Sequence, residues 1–201
     1  ILSFVATTFA YVVYPPVKDN PYFVLAVVLI SFWGMTILNF YGIKTSALFS
    51  TFGVISGTIL PGVFLIFLAS IWVFSGEISH IGFSFSEFIP DLSSIDNLVF
   101  LGGLFLAFSG LEVSSGYASE VENPQKNYPK GIIIAAFITF FLFMLGSLSI
   151  GIVIPKNDIN LVAGVMEALK VFLGNYNLLW LLPVTGILLI LGAVGEVNTW
   201  I

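Results

Sequence analysis

The chain has 201 residues, of which 58% are apolar and only 8% are charged, and its six Lys and eleven acidic residues give a formal net charge of −5. A soluble domain carries about 25% charged residues, so the composition excludes a water-soluble globule, a disordered segment and a nucleic-acid-binding protein. It predicts instead an all-α membrane protein that lies in the lipid bilayer.

Long apolar runs between the charged residues predict a multi-span helical bundle. A helix needs about 20 apolar residues to cross the hydrocarbon core, and continuous apolar runs favour helices over the alternating strands of a membrane barrel. Between two of the runs, residues 160–173 have a helical apolar spacing and are predicted to form a surface helix. The predicted spans are, in chain order, about 1–14, 22–41, 48–74, 97–118, 131–154 and 179–201.

The ends of the chain and its lysines suggest how these spans are arranged. Because the chain opens and closes within apolar runs, we interpret residues 1–201 as a fragment that forms a single transmembrane domain. Lys44, Lys126 and Lys130 fall on one side of the predicted spans, in short loops, and the other three lysines fall on the opposite side. Since basic residues in short loops favour the cytoplasm, we expect these short loops to be cytoplasmic.

The third predicted span contains two glycines and a proline. Gly53 and Gly57 have the GxxxG spacing with which membrane helices approach each other closely, so we predict that they pack against another helix. Pro61 follows in the same span and cannot donate a backbone hydrogen bond, so we expect a kink there.

The fourth predicted span holds the residues least suited to a regular helix. Gly110 and Gly116, together with Ser109 and Ser114, surround the acidic Glu112, and glycine permits the backbone to leave helical angles. We predict a helix break around Ser109 to Glu112. Unwound backbone at membrane depth is tolerated where it lines a cavity or is buried in protein, so a break predicts a binding site. The alternative is close helix packing through the small residues.

Two carboxylates, Glu112 and Glu196, fall within apolar spans. On membrane-insertion scales, an acidic side chain near the centre of a span costs roughly 2.5–3.5 kcal/mol of insertion free energy. Acidic residues at such positions usually have a function. Both spans are predicted to enter from the same side, which would place the two groups at similar depth. Trp200 lies one helical turn from Glu196 and should share its face, where it would either stack on a ligand or only pack. The alternative for each acid is a satisfied structural role.

The remaining polar residues limit the chemistry of a ligand. The chain has no Arg, and no Lys falls within a predicted span, so backbone amides at the break, with Ser109 or Ser114, would have to bind a substrate carboxylate. Glu112 would meet an ammonium group. This set favours a zwitterionic amino acid. His80 is the only histidine and Cys is absent, so no metal site, cofactor or enzyme activity is predicted.

Two stretches resemble a known family. Phe108 to Glu112 (Phe-Ser-Gly-Leu-Glu), followed by Glu120 to Gly131, resembles the sixth span and following loop of the amino acid/polyamine/organocation (APC) permeases. Ile159 to Met166 and Gly195 to Trp200 are similar to the glutamate/GABA antiporter branch of that superfamily. The resemblance covers essentially the whole chain, from the second half of span three through most of span eight.

The resemblance implies a transporter of twelve spans, built from two inverted five-span repeats with broken first and sixth spans around a central site. The sixth-span motif maps onto Ser109, Gly110 and Glu112, and an acid and an aromatic residue of the eighth span map onto Glu196 and Trp200. The similar branch exchanges external glutamate for internal GABA in acid, in functional link with a cytoplasmic decarboxylase. A bacterial inner-membrane protein of acid resistance is therefore the expectation.

An electrostatic hypothesis accounts for the acid preference. An ionised Glu112 would repel an anionic substrate, and protonation would remove the repulsion, so Glu112 and Glu196 are candidates for proton coupling or pH sensing. Two alternatives remain. One is a permease of the same superfamily with a broader range of amino acids or polyamines, and the other is a non-transporting subunit of a membrane complex or proton channel.

Overall fold

A computed structural model describes residues 1–17, 20–82, 84, 89, 95–107 and 110–201. This described part is helical and contains no strand, which confirms the predicted all-α fold. The helices are α1 (Leu2–Val13), α2 (Pro21–Asn39), α3 (Ile43–Gly53), α4 (Leu60–Phe74), α5 (Ile95–Ala107), α6 (Pro124–Val153), α7 (Gly164–Asn175) and α8 (Leu182–Trp200). A π-helical segment, Val54–Ile59, joins α3 to α4, and a 3-10 segment, Leu111–Glu120, follows α5.

Within the described residues, four continuous helical stretches are long and apolar enough to cross a membrane. They are Pro21–Asn39, Ile43–Phe74, Pro124–Val153 and Leu179–Trp200. The shorter apolar helix α1 covers most of the predicted first span, and the predicted span 97–118 is divided between α5 and the 3-10 segment. The number of membrane crossings stays a prediction.

The chain forms two compact units. The first comprises Ile1–His80 and Gly146–Ile201, and the second comprises Ile81–Leu145. In the first unit, α8 is the central helix and packs against α1, α2, α3 and the π segment. The opposite face of α8 carries the exposed residues Glu196 and Trp200.

Glycines bring the π segment and α8 into backbone contact. A Cβ placed on Gly57 would collide with the backbone of Gly192 and with the carbonyl oxygen of Leu188, and a Cβ on Gly53 would lie 2.9 Å from the Leu191 oxygen. The predicted close packing through Gly53 and Gly57 is therefore confirmed. Pro61 is buried at the start of α4, directly after the π segment, so the irregular backbone lies where a kink was expected.

Polar side chains also join α8 to α3. The Asn198 amide, 2% exposed, donates to the Ser50 hydroxyl at 2.8 Å, the Ser46 hydroxyl at 2.8 Å and the Ser46 carbonyl at 3.1 Å. Ser50 in turn donates to the Gly195 carbonyl at 3.1 Å. These bonds fix the rotation of α8 about its axis, which sets the direction in which Glu196 points.

The helix α7 is amphipathic and packs its apolar face into the first unit. Met166, Leu169, Phe172 and Leu173 are fully buried there. The turn before the helix is closed by the Asn160 carboxamide, whose oxygen accepts hydrogen bonds from the backbone nitrogens of residues 162 and 163. Helix α7 thus occupies most of the range predicted for a surface helix and extends two residues beyond it.

Candidate functional site

The backbone of the second unit changes conformation at Gly110. Helix α5 ends at Ala107, Gly110 has φ 107° and ψ −16°, and a 3-10 segment begins at Leu111. Residues with a side chain rarely adopt such a positive φ, so glycine is required at this position. The α-helix is thus interrupted where the sequence predicted a break, although Phe108 and Ser109 themselves lie outside the described residues. Their role in a site stays a prediction.

The 3-10 segment carries two more of the predicted site residues. Glu112 belongs to it, two residues after Gly110, but the Glu112 side chain lies outside the described part. Ser114 is exposed, and its hydroxyl lies 3.1 Å from the Tyr128 hydroxyl of α6, so either group can donate. This bond connects the irregular segment to a long regular helix.

Glu196 and Trp200 lie on the exposed face of α8 in the first unit. Trp200 is 58% exposed, and the Glu196 side chain is exposed as well. The adjacent Val197 and Asn198 are buried on the other face. The roles of Glu196 and Trp200 in a site stay predictions. Glu112 belongs to the other unit, and the similar depth of the two acids stays a prediction.

Asn198, which was not among the residues predicted to be functional, organises the polar contacts behind Glu196. Its carboxamide oxygen is buried and has no hydrogen-bond partner among the residues that the structure describes. A buried amide in an apolar span carries a cost that is usually compensated by helix contacts. The sequence does contain a pattern that points to this contact. Asn198 is a polar residue in an apolar run, and Ser46 and Ser50 lie one helical turn apart on another span.

Comparison with known proteins places these features in a family context. A family model described as amino acid permease matches residues 1–201. An uncharacterized transporter of Legionella pneumophila is 34% identical over 201 residues, which are 100% of this chain and 43% of that protein. A glutamate/gamma-aminobutyrate antiporter of Lactococcus lactis is 29% identical over 204 residues, 100% of this chain and 41% of that protein.

A relative of lower identity is named for a different substrate class. A probable agmatine/putrescine antiporter of Lactococcus lactis is 25% identical over 181 residues, 88% of this chain and 37% of that protein. The chain spans less than half the length of these curated relatives. Together with the apolar helices, the family match identifies a multi-pass protein of the cell membrane.

Proposed function

Because the chain belongs to the amino acid permease family, we propose that it forms part of a secondary active amino acid transporter that works by alternating access. The observation that carries this proposal is the interruption of the helix at Gly110. Where a helix is interrupted, backbone amides and carbonyls leave the regular hydrogen-bond pattern and become available to a ligand. A membrane protein tolerates such groups where they line a cavity or are buried in protein.

The substrate we propose is glutamate in exchange for GABA. Two Lactococcus lactis antiporters named for this pair match the whole chain at 29% identity. Both molecules carry an ammonium group and a carboxylate, so amides at the break and Ser109 or Ser114 would bind the carboxylate, and the carbonyl oxygen of a protonated Glu112 would accept a hydrogen bond from the ammonium group. Glu196 and Trp200 would contact the substrate from α8. The exchange would consume a cytoplasmic proton together with a decarboxylase and so support growth in acid.

Polyamine exchange is the second candidate, because the agmatine/putrescine relative matches 88% of the chain. A diamine has no carboxylate, so it would use Glu112 and Glu196 and leave the amides of the break unused. The two candidates therefore differ in which groups they need. Neutral replacement of the acids would abolish binding of a diamine, whereas it would relieve the repulsion of glutamate.

Counterflow in proteoliposomes that contain the complete transporter tests the proposal. Vesicles are loaded with unlabelled GABA, and uptake of labelled glutamate is measured at pH 5 and pH 7, with putrescine and agmatine as alternative internal substrates. We expect glutamate uptake only against internal GABA or glutamate, and faster uptake at the lower pH. Uptake that requires an internal diamine would support the second candidate, and an absence of all exchange would contradict both.

A further inference from the structure

The first unit contains an open cleft that none of the residues discussed above lines. The last turns of α1 and α4 form two of its sides, and α7 forms its floor. The volume of the cleft is about 610 Å³. Clefts that bind small molecules have volumes of about 300–1,000 Å³. The cleft is lined by Tyr11, Trp72, Glu167, Lys170, Val171, Gly174 and Asn175.

Two opposite charges stand on the floor of the cleft, one helical turn apart. Glu167 is half-buried, and its carboxylate accepts a hydrogen bond from the Tyr11 hydroxyl at 3.0 Å. Lys170 is exposed and forms no ion pair with any residue that the structure describes. Residues three apart on a helix are separated by about 5–6 Å between their Cβ atoms. The carboxylate and the ammonium group are thus presented side by side, each with capacity for another partner.

The aromatic wall of the cleft is held in place. The Trp72 and Phe172 rings pack nearly perpendicular to each other with 5.5 Å between their centroids, and the Trp72 indole nitrogen donates to the Ile78 carbonyl at 3.0 Å. An indole ring that lines the same cleft as a carboxylate attracts an ammonium group through both its quadrupole and its apolar surface. The exposed amide of Asn175 adds a hydrogen-bonding group at the opposite end of the floor.

We infer that this cleft binds a small zwitterionic amino acid. Glu167 and the face of Trp72 receive the ammonium group of the ligand, and Lys170, with the Asn175 amide, receives its carboxylate. A purely anionic ligand is repelled by Glu167, and a purely cationic one leaves Lys170 without a partner. The inference rests on the residues of the cleft alone, and only its biological role depends on the proposed function.

That role follows from the position of the cleft. The predicted orientation places Lys44, at the start of α3, in the cytoplasm, and Trp72 lies near the far end of the same continuous helical stretch. The cleft therefore opens on the external side under this orientation. A transporter of amino acids would use such a cleft to collect external substrate before transport.

Equilibrium binding of labelled GABA, a zwitterion without net charge, to the purified complete transporter, in nanodiscs made only of phosphatidylglycerol, tests the inference. We expect two sites per protomer. Glu167→Gln, Lys170→Gln and Gly174→Leu should each weaken one of them about tenfold or more, the first two by removing a charge partner and the third by filling the cleft. A Cβ on Gly174 would make only an ordinary contact, 3.9 Å from the Leu179 side chain, so Gly174→Ala is the matched steric control.

Lys156→Gln is the charge control, because Lys156 is exposed and does not line the cleft. Unchanged stoichiometry and affinity in all three cleft variants would overturn the inference. If cleft variants remove the only site and the protein exchanges no solute, the cleft stands and the proposed transport function fails. If a single site is lost in a Gly110 variant and untouched by the cleft variants, the proposed function stands and the cleft inference fails.

A second measurement tests the inference if the variants above fold poorly. It also distinguishes an amino acid ligand from a lipid headgroup. The thiol of Asn175→Cys, in a background without other cysteines, is labelled by a water-soluble reagent with and without ligand. Glutamate and GABA should slow labelling several-fold, whereas phosphoethanolamine, which represents a lipid headgroup, should not. Protection by phosphoethanolamine alone, or no protection by any of the three, would overturn the amino acid assignment.

Discussion

Replacement of Gly192 by Ala should destabilise the first unit, because no space exists for a methyl group between α8 and the π segment. A Cβ on Gly192 would lie 2.5 Å from the Gly57 carbonyl carbon, 2.6 Å from its oxygen and 2.9 Å from its Cα. Ordinary contacts of a Cβ begin at 3.4 Å, so the helices must move apart by about 1 Å to relieve overpacking. These atoms are backbone atoms and cannot turn aside as a side chain could.

The expected cost can be bounded. Overpacking of this kind costs about 1–3 kcal/mol, and the better helix propensity of Ala offsets up to about 1 kcal/mol of it. Gly34→Ala is the control, because among the described residues no atom lies within 4 Å of a Cβ at that position. Thermal unfolding of the complete protein in detergent, followed by loss of the monodisperse species, measures both variants. Equal or higher stability of Gly192→Ala relative to Gly34→Ala would refute the close-packed contact.

The other predictions concern polar groups of the spans. Asn198→Ala should destabilise the protein by about 1–2 kcal/mol, because it removes the hydrogen bonds to α3. Ser56→Ala loses only a hydrogen bond to the Phe52 carbonyl, one turn earlier in the same helical stretch, so it should change little in the same unfolding assay. Equal losses of stability in the two variants would contradict the role of Asn198 between helices. Glu112→Gln should keep glutamate uptake high between pH 5 and pH 7, since the neutral side chain imitates the protonated acid, and Glu196→Gln tests the second acid in the same way. Unchanged pH profiles in both variants would remove both acids from the explanation.

Much of the fold could be predicted because its causes are local in the sequence. Charge-free apolar runs predicted α2, α6 and α8, since each run must satisfy its backbone internally in lipid. The glycine pair at Gly53 and Gly57 predicted a close contact, and the structure confirms it. Gly110 was expected to lie in a break, and its positive φ fits that expectation.

The rest depends on contacts between distant residues, which no local pattern encodes. Gly53 and Gly57 did not reveal that their partner is α8, more than a hundred residues later in the chain. The Tyr11 hydroxyl and the Glu167 carboxylate are 156 positions apart, so the cleft becomes visible only when α1 and α7 meet. Ser109 and the Glu112 side chain lie outside the described part, and their proposed roles depend on the sequence and the family.

Glutamate counterflow by Gly110→Ala, with Gly116→Ala as its matched control in the same 3-10 segment, tests most directly whether the interrupted helix binds the substrate. A Cβ at Gly110 opposes the observed φ of 107°, a strain of about 1–3 kcal/mol, whereas a Cβ at Gly116 would have open space in the described part of the chain. We expect Gly110→Ala to lower exchange about tenfold or more at unchanged protein level, while Gly116→Ala retains it. Exchange by Gly110→Ala at the rate of the unmodified transporter would contradict the claim that the interrupted helix binds the substrate.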